Sequence, residues 1–250
     1  MGYKFVLATA GMLASCGLAQ AADIVVMSTQ ATEQSYKELV PQFEKATGHK
    51  VTTTYSGTLD VKKRIAGGEH FDVLIMASPD IDEFVKSGVL AAGSRVDLAK
   101  SGVGAGVKAG APKYDISTTE ALKKTLTSVK SIGYSTGPSG NYLVGLFERL
   151  GLTDVVKPKL KQTPTGVFVG TLVASGEVDI GFQQVSEMSQ FAGVDYIGPL
   201  PADVQRYTVF SSGIRADTKV ADPAKALIKF LTAPDAAPVF KKRGMEAGGA

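Results

Sequence analysis

Phe71-Asp72-Val73-Leu74-Ile75-Met76-Ala77 is apolar at every position but one. A run of this length without polar alternation fits a strand covered on both faces, as in a parallel sheet. Ser78-Pro79 ends the run, and helical spacing resumes from Ile81 to Ser87. The same alternation extends upstream. Asp23-Ile24-Val25-Val26-Met27 is a β-branched run, followed by a polar turn, Ser28 to Thr32. Tyr36, Leu39, Val40 and Phe43 then mark one helical face that ends at Gly48, with Pro41 inside it as a candidate kink. Lys50 to Tyr55 alternates as a second strand, and Ser56-Gly57-Thr58 opens a helix through Ile65. Strands alternating with helices predict βαβ units, hence an α/β fold with a mostly parallel sheet flanked by helices.

Downstream, Ser101-Gly102-Val103-Gly104-Ala105-Gly106-Val107 alternates small and apolar residues. It reads as a strand with close backbone packing and as a first crossing between two lobes. Ser117-Thr118-Thr119-Glu120 is a capping box for a helix from Ala121 to Leu126. Ser131 to Tyr134 is strand-like, and Thr136-Gly137-Pro138-Ser139-Gly140-Asn141-Tyr142 turns the chain into a helix reaching Leu150. Ser139 reads as its N-cap. Lys157 to Lys161 is a basic, solvated face. Thr165-Gly166 precedes a helix from Val167 to Ser175, and Val178 to Phe182 is a strand ending in Gln183-Gln184. Tyr196-Ile197 is a short strand, and Gln205 to Ile214 is the return crossing. Asp222-Pro223 reads as N-cap and first helical residue, and a last helix runs from about Pro234 to Arg243.

The 250 residues are 44% hydrophobic and 20% charged, a globular balance. The formal charge is only +3 and no Lys/Arg block occurs, which argues against nucleic acid as a partner. Lys4, the apolar stretch Phe5 to Leu18 and Ala19-Gln20-Ala21 fit a secretory signal peptide over 1–21. Leu13-Ala14-Ser15-Cys16 also resembles a bacterial lipoprotein signal, which would lipidate Cys16. Cys16 is the only cysteine, so cleavage after Ala21 would leave a mature chain without disulfides. His49 and His70 are the only histidines, and both read as surface residues.

Four segments share one form, a polar or small turn before a helix: Ser28 to Thr32, Ser56 to Thr58, Thr136 to Asn141 and Thr165-Gly166. Helix starts leave backbone N–H groups unpaired and favour negative charge. In open parallel sheets ligands bind beyond the carboxyl ends of strands. The four turns are therefore either a convergent anion cradle or simply the helix starts that any α/β protein needs.

Certain groups recur in a distinctive order. They are Phe43-Glu44-Lys45-Ala46-Thr47-Gly48, Ser56-Gly57-Thr58, Arg64-Ile65-Ala66-Gly67-Gly68-Glu69 and Phe71 to Ile75. Ser139-Gly140, Phe147 to Gly151, Ser175-Gly176-Glu177 and Ile180 to Gln184 follow. This order resembles the molybdate-binding-protein-like periplasmic solute receptors of ABC importers, over essentially the whole mature chain. The resemblance implies a two-lobed Venus-flytrap fold with two crossing strands as hinge. Lobe 1 would be 22–105 with 208–250, and lobe 2 would be 106–207. It implies a small anion, a molybdate-like oxyanion, held in the cleft by neutral donors. It further implies a monomer that delivers this ligand to a membrane ABC permease from the periplasm, without a cofactor or catalytic role. Carried over by position, the binding residues fall near Thr29, Ala31 and Thr32, on Gly57 and Thr58, on Ser139 and Gly140, on Gly166 or Val167, and near Gln184. Ala31 lacks a hydroxyl, and Gln184 offers an amide in place of a phenol, which suits a small organic carboxylate as the alternative ligand. An exported enzyme on this scaffold is the rival class, with Asp72, Asp179 or Glu187 as its candidates. A signalling or adhesion receptor is a third reading.

Overall fold

The computed structural model describes residues 21–248; the signal-peptide stretch and Cys16 lie outside the described residues. The order is β1 (Asp23–Thr29), a 3-10 turn (Gln30–Thr32), α1 (Glu33–Thr47), β2 (Lys50–Ser56), α2 (Thr58–Ala66), β3 (Val73–Ala77) and α3 (Ser78–Lys86). Next come β4 (Val96–Lys108), α4 (Thr119–Ser128), β5 (Ile132–Tyr134), α5 (Pro138–Arg149), α6 (Thr153–Val156), β6 (Leu160–Gln162) and α7 (Val169–Ser175). The chain closes with β7 (Ile180–Gln184), α8 (Val185–Met188), β8 (Val194–Pro199), β9 (Tyr207–Ile214), α9 (Ala221–Leu231), α10 (Ala237–Lys242) and β10 (Glu246–Ala247).

β2, β1 and β3 run parallel, and β9 and then β4 add antiparallel beside β3. The run that predicts a doubly covered strand behaves as one. Val73 and Ile75 pack with Tyr36, Leu39 and Phe43 of α1 and Leu227 of α9. Leu74 and Met76 face the other way, onto Val61 of α2 and Ile81 and Phe84 of α3. At roughly 1.5–3 kcal/mol per buried side chain, these four outweigh the one carboxylate the run carries. Asp72 is itself satisfied, accepting from Val25 N at 2.8 Å and Thr218 Oγ1 at 2.6 Å. It braces β1 against the loop before α9. Pro41 sits inside α1 without ending it.

β4 joins two sheets. Its first half pairs β9 from Val96 to Gly102, and its second half pairs β7 and β8 from Val103 to Lys108. β7, β5 and β6 complete the second sheet in parallel. A second pair of cores covers that sheet. One gathers Leu122 and Leu126 of α4 with Leu143, Leu146 and Phe147 of α5; the other gathers Val169, Val173 and Met188. The glycines of β4 allow this close packing. A Cβ on Gly104 would lie 2.7 Å from the Tyr196 ring, and one on Gly106 would lie 2.5 Å from Val194 Cγ1.

The return crossing differs from the expectation in detail. β9 pairs only within the first sheet, beginning at Tyr207. Just before it, the Gln205 side chain takes over: Val103 N donates to its Oε1 at 2.8 Å, and its Nε2 donates to Val103 O at 2.9 Å. An amide side chain mimics a strand neighbour here, which no periodicity reveals.

Several boundaries move for local reasons. α9 begins at Ala221 with Val220 as N-cap, because the Thr218 hydroxyl accepts from Val220 N at 3.1 Å and turns the chain one step early. Asp222 is therefore inside the helix, and not its cap. The basic stretch is partly engaged, since Lys159 Nζ donates to Leu126 O and Thr127 O. His70 is exposed as expected, whereas His49 is half-buried and accepts from Ala22 N at 3.1 Å. Thr118, not Ser117, caps α4 by accepting from Ala121 N at 3.1 Å, one residue later than the capping box predicts.

Candidate functional site

The ends of β1, β2, β5 and β7 meet where the two sheets face each other, around a cavity of about 40 Å³. At ~10–15 Å³ for the centre of one water, this holds about three water-sized atoms or one compact anionic group. From the first sheet come Thr29, Gln30, Ala31, Ser56, Gly57, Thr58 and Phe210; from the second come Ser135 to Ser139, Gly166, Val167, Gln183, Gln184 and Glu187.

α5 supplies donors because of its first residues. Gly137 is the N-cap, Pro138 has no N–H, and Asn141 N is the first to bond back, to Gly137 O at 3.1 Å. The N–H groups of Ser139 and Gly140 therefore have no helical acceptor. Ser139 is the second helical residue, two positions inside its expected role as cap, since Pro138 is the natural first residue. It is buried, with its Oγ 3.3 Å from Ser135 Oγ. Gly140 is not in the cavity wall. A Cβ there would lie 1.8 Å from Ser135 O, so the glycine lets α5 sit on the end of β5.

α2 does the same from the other side. Gly57 is its N-cap, and Val61 N is the first to bond back to Gly57 O, which leaves the Thr58, Leu59 and Asp60 N–H groups without helical acceptors. Thr29 ends β1 with its hydroxyl buried and unpartnered. An unpaired buried hydroxyl costs on the order of 1–3 kcal/mol, which a ligand would recover. Ala31 contributes a methyl surface. Thr32 does not line the cavity, because the 3-10 turn rotates its hydroxyl onto Ser28 Oγ at 2.9 Å. Gly166 takes φ +75°, and its carbonyl accepts from Gln30 Nε2 at 2.9 Å, joining the two sides.

Gln184 reaches the wall, but its amide is engaged behind it. With the NH₂ facing carbonyl groups, it donates to Ser101 O at 2.9 Å and Gly102 O at 3.2 Å, while its oxygen accepts from Thr208 Oγ1 at 2.9 Å. It thus ties β7 to β4 and β9 where they pass between the sheets. Gln183 Oε1 accepts from Val169 N at 2.7 Å.

Of the described residues in the wall, Glu187 alone is ionisable. Its side chain three positions after the N-cap of α8 matches the back-bonding arm of a capping box. Burial pushes its carboxyl up to about 8; the Gln184 backbone N–H and the Gln183 side chain pull against this, and the Glu33 carboxylate adds to it. The other two acidic candidates are structural: Asp72 is braced as above, and Asp179 accepts from Lys130 N at 2.6 Å. Among the described residues no cluster of three His, Cys, Asp or Glu could hold a metal.

A larger cavity of about 670 Å³ adjoins this one, sharing Thr58, Thr136, Gly137 and Pro138. Its wall carries Lys62, Arg95 and Arg206 with Asp80; Lys62 is bound to Asp80 and Glu83, and Arg95 to Asp82 and Asp97. Arg206 stacks 6.0 Å from the centre of the Tyr142 ring.

No helix among the described residues is long and apolar enough to cross a membrane. Known proteins share this architecture. The chain is 34% identical over 229 residues to an aconitate isomerase from Pseudomonas sp., covering 89% of this chain and 87% of that one. It is 31% identical over 250 residues to the molybdate-binding protein ModA of Azotobacter vinelandii, covering 96% of each. The structure of a periplasmic molybdate-binding protein from Azotobacter vinelandii superposes with a TM-score of 0.74 at 20% identity, over 89% of this chain and 98% of that one. The fold is thus the two-lobed one of periplasmic binding proteins. The family of bacterial extracellular solute-binding proteins matches residues 24–246, and this chain belongs to it.

Proposed function

We propose that the chain is the periplasmic receptor of an ABC importer and that it captures a small anion between its lobes. One observation carries this reading: a small cavity, partly open to solvent, walled from both sides by hydroxyls and helix-start N–H groups, with no cation in it. Hydrogen bonds to a charged group are worth about 1.5–3 kcal/mol each, so a handful suffices for micromolar binding after ordering costs. Thr29, Gly57 and Thr58 would hold the anion from lobe 1. Ser139, Gly166 and Val167 would hold it from lobe 2, with Gln184 fixing the strands behind. Lobe 1 is taken as 22–105 with 208–250 and lobe 2 as 106–207, with the segment over 1–21 removed on export. The ligand favours the closed state because it touches both lobes at once. A membrane permease would then accept the closed form.

The cavity size supports a compact group, either a tetrahedral oxyanion or the carboxylate end of a longer molecule. The adjoining larger cavity supports a second reading, in which a polycarboxylate seats one carboxylate in the cradle and the rest beside Arg206. The aconitate isomerase relative adds an enzymatic version of it. That version needs Glu187 ionised, to take a proton from a CH₂ beside a C=C bond and return it at the far alkene carbon, moving the double bond.

Thermal unfolding of residues 22–250 separates these readings. A ligand present at 100 times its Kd stabilises by about 2.7 kcal/mol, a rise of a few degrees at this size. A rise with molybdate or tungstate alone supports the oxyanion receptor. A rise with aconitate or citrate alone supports the polycarboxylate. No rise with any of them contradicts the anion site.

A further inference from the structure

An anion site built without cations has no need of an acid in its wall, yet one is there. Glu187 sits on α8 and lines the same cavity as Thr29 and Gly57. If ionised, it would face a bound anion inside a small, low-dielectric cavity, where like charges repel strongly. If neutral, it offers one O–H donor to the same anion. We propose that the site binds its anion only with Glu187 protonated, its neutral carboxyl donating a hydrogen bond to the bound ligand. This deepens the reading of the cavity as an anion site and rests on it.

The surroundings of Glu187 agree. Its helix packs against β4, β7, β8, α7 and the 3-10 turn after β1. β7, α7 and the turn carry no ionisable side chain. Glu33, which follows the turn, is bound by Lys37, and its carboxylate further disfavours an ionised Glu187. On β4, Asp97 is held by Arg95 and Lys100 by Glu246, while Lys108 lies against Gly176. On β8, Asp195 accepts from Gly110 N, and Tyr196 packs over Gly104. Behind α8, Arg243 is bound to Glu38. No cation among these pairs with Glu187. Desolvation in the cavity wall, where Glu187 is partly buried, pushes its carboxyl up to about 8.

The sign follows from linkage. The protonated form binds, so affinity is constant below the midpoint and falls about tenfold per pH unit above it. The experiment is calorimetric titration of molybdate and of aconitate between pH 6.5 and 9.5. The expected result, for whichever anion binds, is a constant Kd to about pH 8 and a steep rise beyond. E187Q keeps a donor but has nothing to titrate; whatever its Kd at pH 7, that Kd should stay constant to pH 9.5. A wild-type Kd constant to pH 9.5 overturns the proposal. Binding of neither anion is a failure of the anion-site reading, and a second measurement keeps the two apart. In ligand-free protein labelled with ¹³C at glutamate carboxyls, the resonance missing from E187Q should titrate near pH 8. A midpoint in the ordinary carboxylate range overturns the proposal whatever binds.

Discussion

Ser139→Asp abolishes anion binding while leaving the fold intact. Ser139 is buried at the second position of α5, with its N–H free and its hydroxyl beside Ser135 in the cavity wall. Aspartate there places a negative charge within about 4 Å of the ligand. At an effective dielectric near 20, two unit charges at that distance repel by about 4 kcal/mol, roughly a thousandfold in Kd. Lost donor geometry adds to this. The helix favours an acidic residue in its first turn, but a charge buried without a cation costs stability, so the unfolding temperature should fall by a few degrees with folding still cooperative. Ser139→Ala removes one hydrogen bond to a charged group and should cost about 1.5–3 kcal/mol, ten- to a hundredfold. Calorimetric titration and a melting curve on the same samples check both. Wild-type affinity in the aspartate variant would remove α5 from the site.

Gly57→Val prevents closure. A Cβ on Gly57 would lie 2.4 Å from both Gly166 N and Thr165 Oγ1, which belong to the opposite side of the cleft. The backbone partner is held: Gly166 has φ +75°, and its carbonyl is bonded to Gln30. The lobes must therefore stand apart. Gly57 itself has φ −70° and ψ 156°, which any residue adopts, so the separate lobe tolerates the change. With the closed state out of reach, ligand keeps contacts to one lobe only, and affinity should fall about a hundredfold or more. The melting temperature without ligand should stay within a few degrees. Unchanged affinity would mean that the cleft closes elsewhere.

The elements that decide the fold are legible because they bury large faces. Phe71 to Ala77 can only be a strand covered on both sides, and Val103 to Val107 with its glycines can only be a closely packed one. What is not legible is set by side chains substituting for backbone. Gln205 completes β4, Thr218 starts α9 early, and Gln184 fastens β7 to the crossing strands; none leaves a periodic signature. The site was readable as four helix starts, and Thr29, Ala31, Gly57, Thr58, Ser139, Gly166, Val167 and Gln184 do meet around one cavity. Thr32 and Gly140 stand next to it for reasons of turn geometry and close packing. Gln183 and Phe210 reach the wall through the pairing of β7 and β9, which the sequence does not specify. Glu187 stood out only as an acidic residue after a strand. Its weight comes from burial in a wall with no other charge, which only tertiary packing produces.

The central claim is that an anion bridges two lobes and draws them together. Small-angle X-ray scattering of residues 22–250 tests it most directly, using whichever anion raises the melting temperature most. The account predicts a smaller radius of gyration at saturating ligand than without it, and no such change in Gly57→Val. Superimposable profiles for the wild type with and without saturating ligand would contradict it.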